Sequence, residues 1–313
     1  MPDAGRPPLL ALVGPTASGK SAAGLELAAH LDAEIVSVDS MLVYRGMDVG
    51  TAKPTAAERA RVPHHLIDVA DPSESFTVQR YQRLALEAID GIRRRGRTPL
   101  LVGGSGLYVR AVVDRLEFPG TDPATRRELE RAVEALGAER LYARLADLDP
   151  VAAAKIDPSN ARRTVRALEV AAITGHPFSS FAEAWERYPP DHVRAVGIEI
   201  SRETLAERIA ARVEAMLEAG LLEEIAGLVE RGLGSWLTAT QAIGYAEFAR
   251  HLAGELTLAE AVAGTVKRTR SLARRQMAWF ARDPRIRWVP VGEGGGTTAI
   301  DVMLAALTEE RSP

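Results

Sequence analysis

Residues 14–21 read GPTASGKS, directly behind LLALVG, a short continuous apolar run closed by glycine. A run of that kind predicts a buried strand. The stretch after it, SGKSAAGLELAAHL at 18–31, is rich in alanine and leucine with apolar residues at helical spacing, which predicts a helix. Gly14, four residues, then Gly19, Lys20 and Ser21, between a strand and a helix, satisfy the P-loop pattern. The two glycines let the backbone of Pro15, Thr16, Ala17 and Ser18 curl so that amide N–H groups point inward at an anion, and the helix N-terminus adds partial positive charge. Lys20 supplies a mobile full charge for a terminal phosphate, and the Ser21 hydroxyl is a candidate ligand for Mg²⁺.

Working outward, EIVSVDS at 34–40 predicts a second buried strand ending at Asp39, HHLIDV at 64–69 a third, and TPLLVGG at 98–104 a fourth. TVQRYQRLALEAIDGIRRRG at 77–96 reads as an amphipathic helix closed by glycine. This alternation predicts an α/β fold, a P-loop-like parallel sheet with flanking helices. Ligands in such sheets gather at the carboxyl ends of the strands, where Gly14, Asp39 and Gly103 fall. From Gly120 to Pro190 the strand signal disappears and helical patterns are broken at Pro150, Pro158 and Gly175. The expected organisation is a catalytic core of residues 1–119 and 191–313 and a helical insertion of residues 120–190. AVGIEIS at 195–201 and RIRWVPV at 285–291 predict the remaining strands, and the tail after Gly292 begins with a flexible glycine run and carries no site signal.

With 313 residues and a formal net charge of −3, the chain is long enough to bury a large core. It contains no cysteine, which excludes disulfides, thiolate zinc sites and a cysteine nucleophile, and makes a reducing compartment, the cytoplasm, the default expectation. No apolar run has membrane length. Charge is unevenly spread: KRTRSLARRQMAWFAR at 267–282 holds six basic residues and no acid, beside Trp279 and Phe280, and Arg162, Arg163 and Arg166 form a second group. Each group is readable as a solvated helix face or as a nucleic-acid contact. His64 and His65 have no third ligand at metal-binding spacing and read as structural.

A P-loop most often serves phosphoryl transfer or nucleotide hydrolysis, with a strand-end Asp holding the metal. Asp39 suits that role, and suits a general base equally. Spacing does not separate the two. Several stretches, however, resemble the tRNA dimethylallyltransferase (tRNA isopentenyltransferase) family. They are GPTASGKS, VDSMLVYRGMDVGTAKP (38–54), PHHLIDV, LLVGGSGLYVRA (100–111), RRTVRALEV (162–170), QAIGYAEF (241–248) and TRSLARRQMAWF (269–280). The resemblance runs in order from Leu9 to Val289. It implies transfer of a dimethylallyl group from dimethylallyl diphosphate to N6 of adenosine 37, beside the anticodon; a cytoplasmic monomer that uses Mg²⁺ is the expected form of the enzyme. An adenylate isopentenyltransferase is the related alternative, and the helical insertion and basic C-terminal stretch speak against it.

In that family the loop grips the leaving group, so the implied catalytic residues are Asp39 as acceptor of the N6 proton, with Lys20 and Arg212 (in RIAARVEAM) on the diphosphate. The implied tRNA contacts are Asp39, Ser40, Met41 and Leu42, single positions at Ser105 and Arg126, then Arg162, Arg163, Thr164, Val165 and Arg166, and finally Gln241, Ala242, Ile243, Gly244 and Tyr245. The anticodon stem-loop is the implied partner, its target base flipped out of its stack. Two positions depart from the family pattern. Ser105 stands where threonine is common, and Ala246 stands where a lysine is frequent, which takes away a cation suited to a phosphate.

Overall fold

The computed structural model describes residues 8–181, 183–236, 238–292 and 295–309, with the backbone alone at 183 and 184. β1 (Leu9–Val13), β2 (Ala33–Ser37), β3 (His64–His65), β4 (Thr98–Gly103), β5 (Val193–Glu199) and β6 (Ile286–Pro290) form one parallel sheet in the order β3-β2-β4-β1-β5-β6. β1 lies between β4 and β5, with Leu12 opposite Val102 on one side and Val196 on the other. Its buried LLALV sequence follows from that central place. Alternation along the strand sends Leu9, Ala11 and Val13 into the core on one face of the sheet and Leu10 and Leu12 into the core on the other.

In chain order the helices are α1 (Lys20–His30), α2 (Ala56–Arg61), α3 (Val78–Arg94), α4 (Gly106–Val113), α5 (Pro123–Leu136), α6 (Ala138–Leu148), α7 (Pro150–Ala153), α8 (Ala161–Thr174), α9 (Glu183–Glu186), α10 (Arg202–Glu218), α11 (Leu221–Glu230), α12 (Tyr245–Leu252), α13 (Leu258–Phe280) and α14 (Ile300–Thr308). Thr77 caps α3 through the Arg80 N–H, and the helix buries Tyr81, Ala85, Ile89 and Ile92 along one face. Thr257 and Glu260 form a capping box at the start of α13. None of the described helices is long and apolar enough to cross a membrane.

The chain divides into two compact units, Met1–Arg115 with Pro189–Pro313, and Leu116–Tyr188. The smaller unit has its own core around Leu129, Leu141, Leu145, Val165 and Leu168. At its heart the fully buried Glu169 accepts from Arg126 at 2.6 Å and Arg166 at 2.7 Å. Burial opposes its charge, and the two guanidiniums hold its carboxyl below the usual range all the same.

One expectation is corrected. HHLIDV forms a strand only at His64–His65, because Leu66 (φ 65°) and Asp68 (φ 59°) take left-handed backbone. Asp68 is held there by ion pairs from Lys53 at 2.6 Å and Arg59 at 2.8 Å. Of the glycine run expected to be flexible at the start of the C-terminal tail, residues 293 and 294 lie outside the described residues; beyond it, α14 buries Met303 and Leu307 completely in the same core as Leu10 and Leu12. A Cβ on Gly19 would stand 3.1 Å from the Gly296 nitrogen, so the segment leading into α14 lies against the P-loop.

Candidate active site

Because parallel strands deliver their carboxyl ends to one edge of the sheet, the turns after β1, β2 and β4 meet there. In the first, Gly19 (φ 87°) precedes α1 as its N-cap and offers no side-chain cap, so the first-turn N–H groups remain for an anion. Ala17 is held at φ 63°, a left-handed conformation that an alanine adopts at a cost of about 1–2 kcal/mol. The buried Ser18 hydroxyl finds no hydrogen-bond partner among the described residues. Lys20 folds back to donate to the Pro15 carbonyl at 2.8 Å. Burial pulls its ammonium down to about 8, against the nearby Asp39 charge, which acts to raise it; Arg212 lowers it further.

This edge opens into a cavity of about 610 Å³ lined by Thr16, Lys20, Asp39, Arg212, Gln276 and further residues of the larger unit. Asp39 is half-buried, and its Oδ1 accepts the Met41 N–H at 2.8 Å. That bond fixes the carboxylate at the end of β2 and leaves its second oxygen for other work. Arg212, from the middle of α10, makes long hydrogen bonds to Thr16 Oγ1 and the Thr51 carbonyl, both 3.4 Å. Burial lowers its guanidinium and Asp39 counteracts. Beside Arg212 on the same face of α10, Ile209, Val213 and Met216 give the cavity an apolar wall, continued by Leu221 and Leu272. Two cations and a carboxylate beside an apolar chamber can hold a charged diphosphate and a hydrocarbon together.

Sequence reading misses the face of α13. Arg268, Leu272, Gln276 and Trp279 recur at helical spacing and all line the cavity, a periodicity hidden among the basic residues of that stretch. Gln276 Oε1 accepts the Thr16 N–H at 2.8 Å, so α13 reaches the P-loop directly. Trp279 lies so close to Gly106 that a Cβ there would stand 1.9 Å from its ring, which explains the glycine in GGSGLY. Arg268 ion-pairs with Glu247 and donates to the Gln241 carbonyl at 3.2 Å, while Glu247 caps the Gly244 N–H at 2.9 Å. The QAIGY turn is thereby pinned to the cavity wall.

Of the expected site residues, the cavity brings together Thr16, Lys20, Asp39, Ser40, Met41, Ser105 and Arg212 with all of Gln241–Tyr245. Leu42 and Ser21 do not line it, and Ser21 is exposed on the first turn of α1. Arg126, Arg162, Arg163, Thr164, Val165 and Arg166 belong to the smaller unit. There Thr164 and Val165 are buried, Arg126 and Arg166 are engaged with Glu169, and Arg162 and Arg163 are exposed. Tyr44 and Tyr108 are core aromatics, and His65 bonds Glu34 at 2.7 Å. No group of three metal-type His, Asp or Glu side chains occurs among the described residues.

The family described as IPP transferase matches residues 42–283. A tRNA dimethylallyltransferase of Nocardioides is 50% identical over 307 residues, 98% of this chain and 99% of its own. One of Streptomyces coelicolor is 52% identical over 286 residues, 91% of each chain. The crystal structure of a tRNA isopentenylpyrophosphate transferase from Bacillus halodurans superposes with a TM-score of 0.69 at 41% identity, covering 96% of this chain and 97% of that one. A eukaryotic dimethylallyltransferase acting on tRNA reaches a TM-score of 0.73 at 27% identity, covering 91% and 74%. The cationic loop, the carboxylate and the apolar wall thus sit in a chain that belongs to the IPP transferase family, the tRNA dimethylallyltransferases.

Proposed function

We propose that this tRNA-modifying prenyltransferase transfers the dimethylallyl group of dimethylallyl diphosphate to N6 of adenosine 37 in the anticodon loop. The observation that carries this reading is the joint lining of one cavity by Lys20, Arg212, Asp39 and the apolar face of α10. Phosphoryl transfer does not call for an apolar chamber next to its phosphate cup; transfer of a five-carbon alkyl group does.

In the reaction N6 attacks C1 of the allylic chain, the C1–O bond breaks, and its electron pair leaves with diphosphate. Lys20, Arg212 and the open N–H groups at the start of α1 stabilise the negative charge that gathers on the leaving oxygens. Asp39 takes the N6 proton as the C–N bond forms, which a delocalised amine requires. Ile209, Val213 and Met216 hold the hydrocarbon and exclude water that would otherwise compete for the carbon. The turn Gln241–Tyr245 and the rim residues Ser40, Met41 and Ser105 are the surfaces offered to the flipped base. In the smaller unit, Arg162 and Arg163 are the cations suited to tRNA phosphates.

A Mg²⁺ bound with the diphosphate would take Ser21, on the first turn of α1, as its protein ligand, which leaves Asp39 for the N6 proton. Such an ion supplies charge neutralisation of the departing diphosphate. The single-chain state and a cytoplasmic setting complete the reading.

The test is mass analysis of anticodon-loop nucleosides after incubation of the protein with unmodified tRNA, Mg²⁺ and dimethylallyl diphosphate. A gain of one dimethylallyl group at position 37 is expected; modification of free AMP in place of tRNA would reject it. Asp39→Asn keeps the acceptor for the Met41 N–H and removes the base. Turnover is expected to fall at least ~100-fold with tRNA binding retained.

A further inference from the structure

Glu224, in the first turn of α11, does not line the cavity, yet it holds two of its walls. Its Oε2 accepts the N–H groups of Asp48 at 2.8 Å and Val49 at 2.7 Å. Its Oε1 accepts the Gly50 N–H at 3.2 Å and the Tyr245 hydroxyl at 2.6 Å. Three successive backbone donors converging on one site form an anion nest, and here the protein fills the nest with its own carboxylate. Tyr245 is fully buried, and burial together with the Glu224 charge raises its phenol well above the ordinary value, so it remains a donor. Its ring lies only 2.6 Å from where a Cβ on Gly50 would stand, so nothing larger than glycine fits between this loop and the QAIGY turn.

The residue after Gly50 is Thr51, tied by its hydroxyl to the Met47 carbonyl at 2.6 Å. Its own carbonyl receives Arg212 Nη2, while Arg212 Nη1 reaches Thr16 of the P-loop. A chain of contacts therefore runs from Glu224 through residues 48–51 to the guanidinium over the phosphate cup. Both hydrogen bonds of Arg212 are long, so its placement depends on the rigidity of what it leans on.

We infer that Glu224 is a positioning residue for the reaction: through the 48–51 loop it fixes the Thr51 carbonyl and hence Arg212 over the leaving group, and through Tyr245 it fixes the turn facing the base. The inference rests on the reading of the cavity as a diphosphate site. Side chains that contact no substrate but lock those that do are what a preorganised site requires.

A double-mutant cycle tests it, with inorganic pyrophosphate binding to the full chain measured by calorimetry. Glu224→Gln replaces one acceptor oxygen by a donor that faces backbone N–H groups. It is expected to weaken pyrophosphate about 10-fold, the scale of one charge-assisted hydrogen bond, while Arg212→Ala weakens it more. Because Glu224 acts through Arg212, the double variant should match Arg212→Ala alone within about twofold. Multiplying losses, or a Glu224→Gln protein that binds pyrophosphate as tightly as the wild type, overturns the inference. If Glu224→Gln does not fold, Glu224→Asp, which keeps the charge on a shorter arm, takes its place with the same two outcomes. Wild-type protein that binds no pyrophosphate overturns the diphosphate reading itself, and the inference with it.

Discussion

Lys20 keeps its charge on a nitrogen that burial makes reluctant to hold it, and this makes the cup sensitive to pH in a calculable direction. Its folded value of about 8 lies below that of a free lysine because desolvation outweighs the attraction of Asp39. Below pH 8 the ammonium is intact and pyrophosphate affinity should be level on its account; above it, binding must first restore the proton. By linkage the affinity then falls by up to about tenfold per pH unit until the lysine value of the complex is reached. Calorimetry near pH 9 in two buffers of different ionisation enthalpy should register proton uptake on binding beyond that of a Lys20→Met protein, which reports the titration of pyrophosphate itself, and a smaller excess at pH 7. An affinity flat to pH 10 in the native protein would remove Lys20 from the cup. The same residue illustrates what was legible at this scale. GPTASGKS announces itself because its glycines, lysine and serine act through adjacent backbone, whereas Glu224 meets Asp48, Val49 and Gly50 across some 175 residues and carries no local mark.

Elements were legible where local pattern and tertiary place agree. LLALV is apolar at every position and lies mid-sheet with every residue buried. HHLIDV, with His64, His65 and Asp68 among its six residues, mixes polar and apolar positions, and it gives way after His65 because Lys53 and Arg59, from the preceding loop and helix, turn Asp68 out of the strand. The glycine run before α14 gives no local signal of the helix beyond it, which buries Met303 and Leu307 against the face of the sheet that carries Leu10 and Leu12. A flexible tail would tolerate truncation of Leu307 without effect. A buried one should lose about 2–5 kcal/mol on Leu307→Ala, the range for leucine deletions in packed cores. Urea unfolding checks this through its midpoint at unchanged slope. A midpoint equal to that of the native chain would mean that α14 is not packed on the sheet.

At the scale of the whole molecule, function separates from fold. The sheet order and the loop suit phosphoryl transfer as well as they suit prenyl transfer, and what distinguishes this chain is the apolar face of α10 together with the family to which it belongs. Charge shows the same division of labour. A chain of net charge −3 meets a polyanion through local cations, and the sequence groups Arg162, Arg163 and Arg166, to which the family resemblance adds Arg126 as a single position. The structure separates them: Arg126 and Arg166 neutralise the buried Glu169, and Arg166 also donates to the Pro119 and Gly120 carbonyls at 2.6 and 3.0 Å. Arg162 and Arg163 are exposed at the start of α8. Replacing these two by alanine should therefore weaken tRNA binding and reduce the slope of log affinity against log salt by up to about two, one for each phosphate no longer neutralised. Replacing Arg166 should do the reverse. With Arg126 alone left to pair Glu169, the smaller unit should lose stability, by less than the about 3–5 kcal/mol of a buried charge left with no partner. Its salt slope should stay near the native one under conditions where the protein remains folded. Filter binding of tRNA across a salt titration, paired with melting curves, distinguishes the two kinds of arginine, and a common loss of slope in both variants would mean that Glu169 does not hold Arg166 away from the nucleic acid.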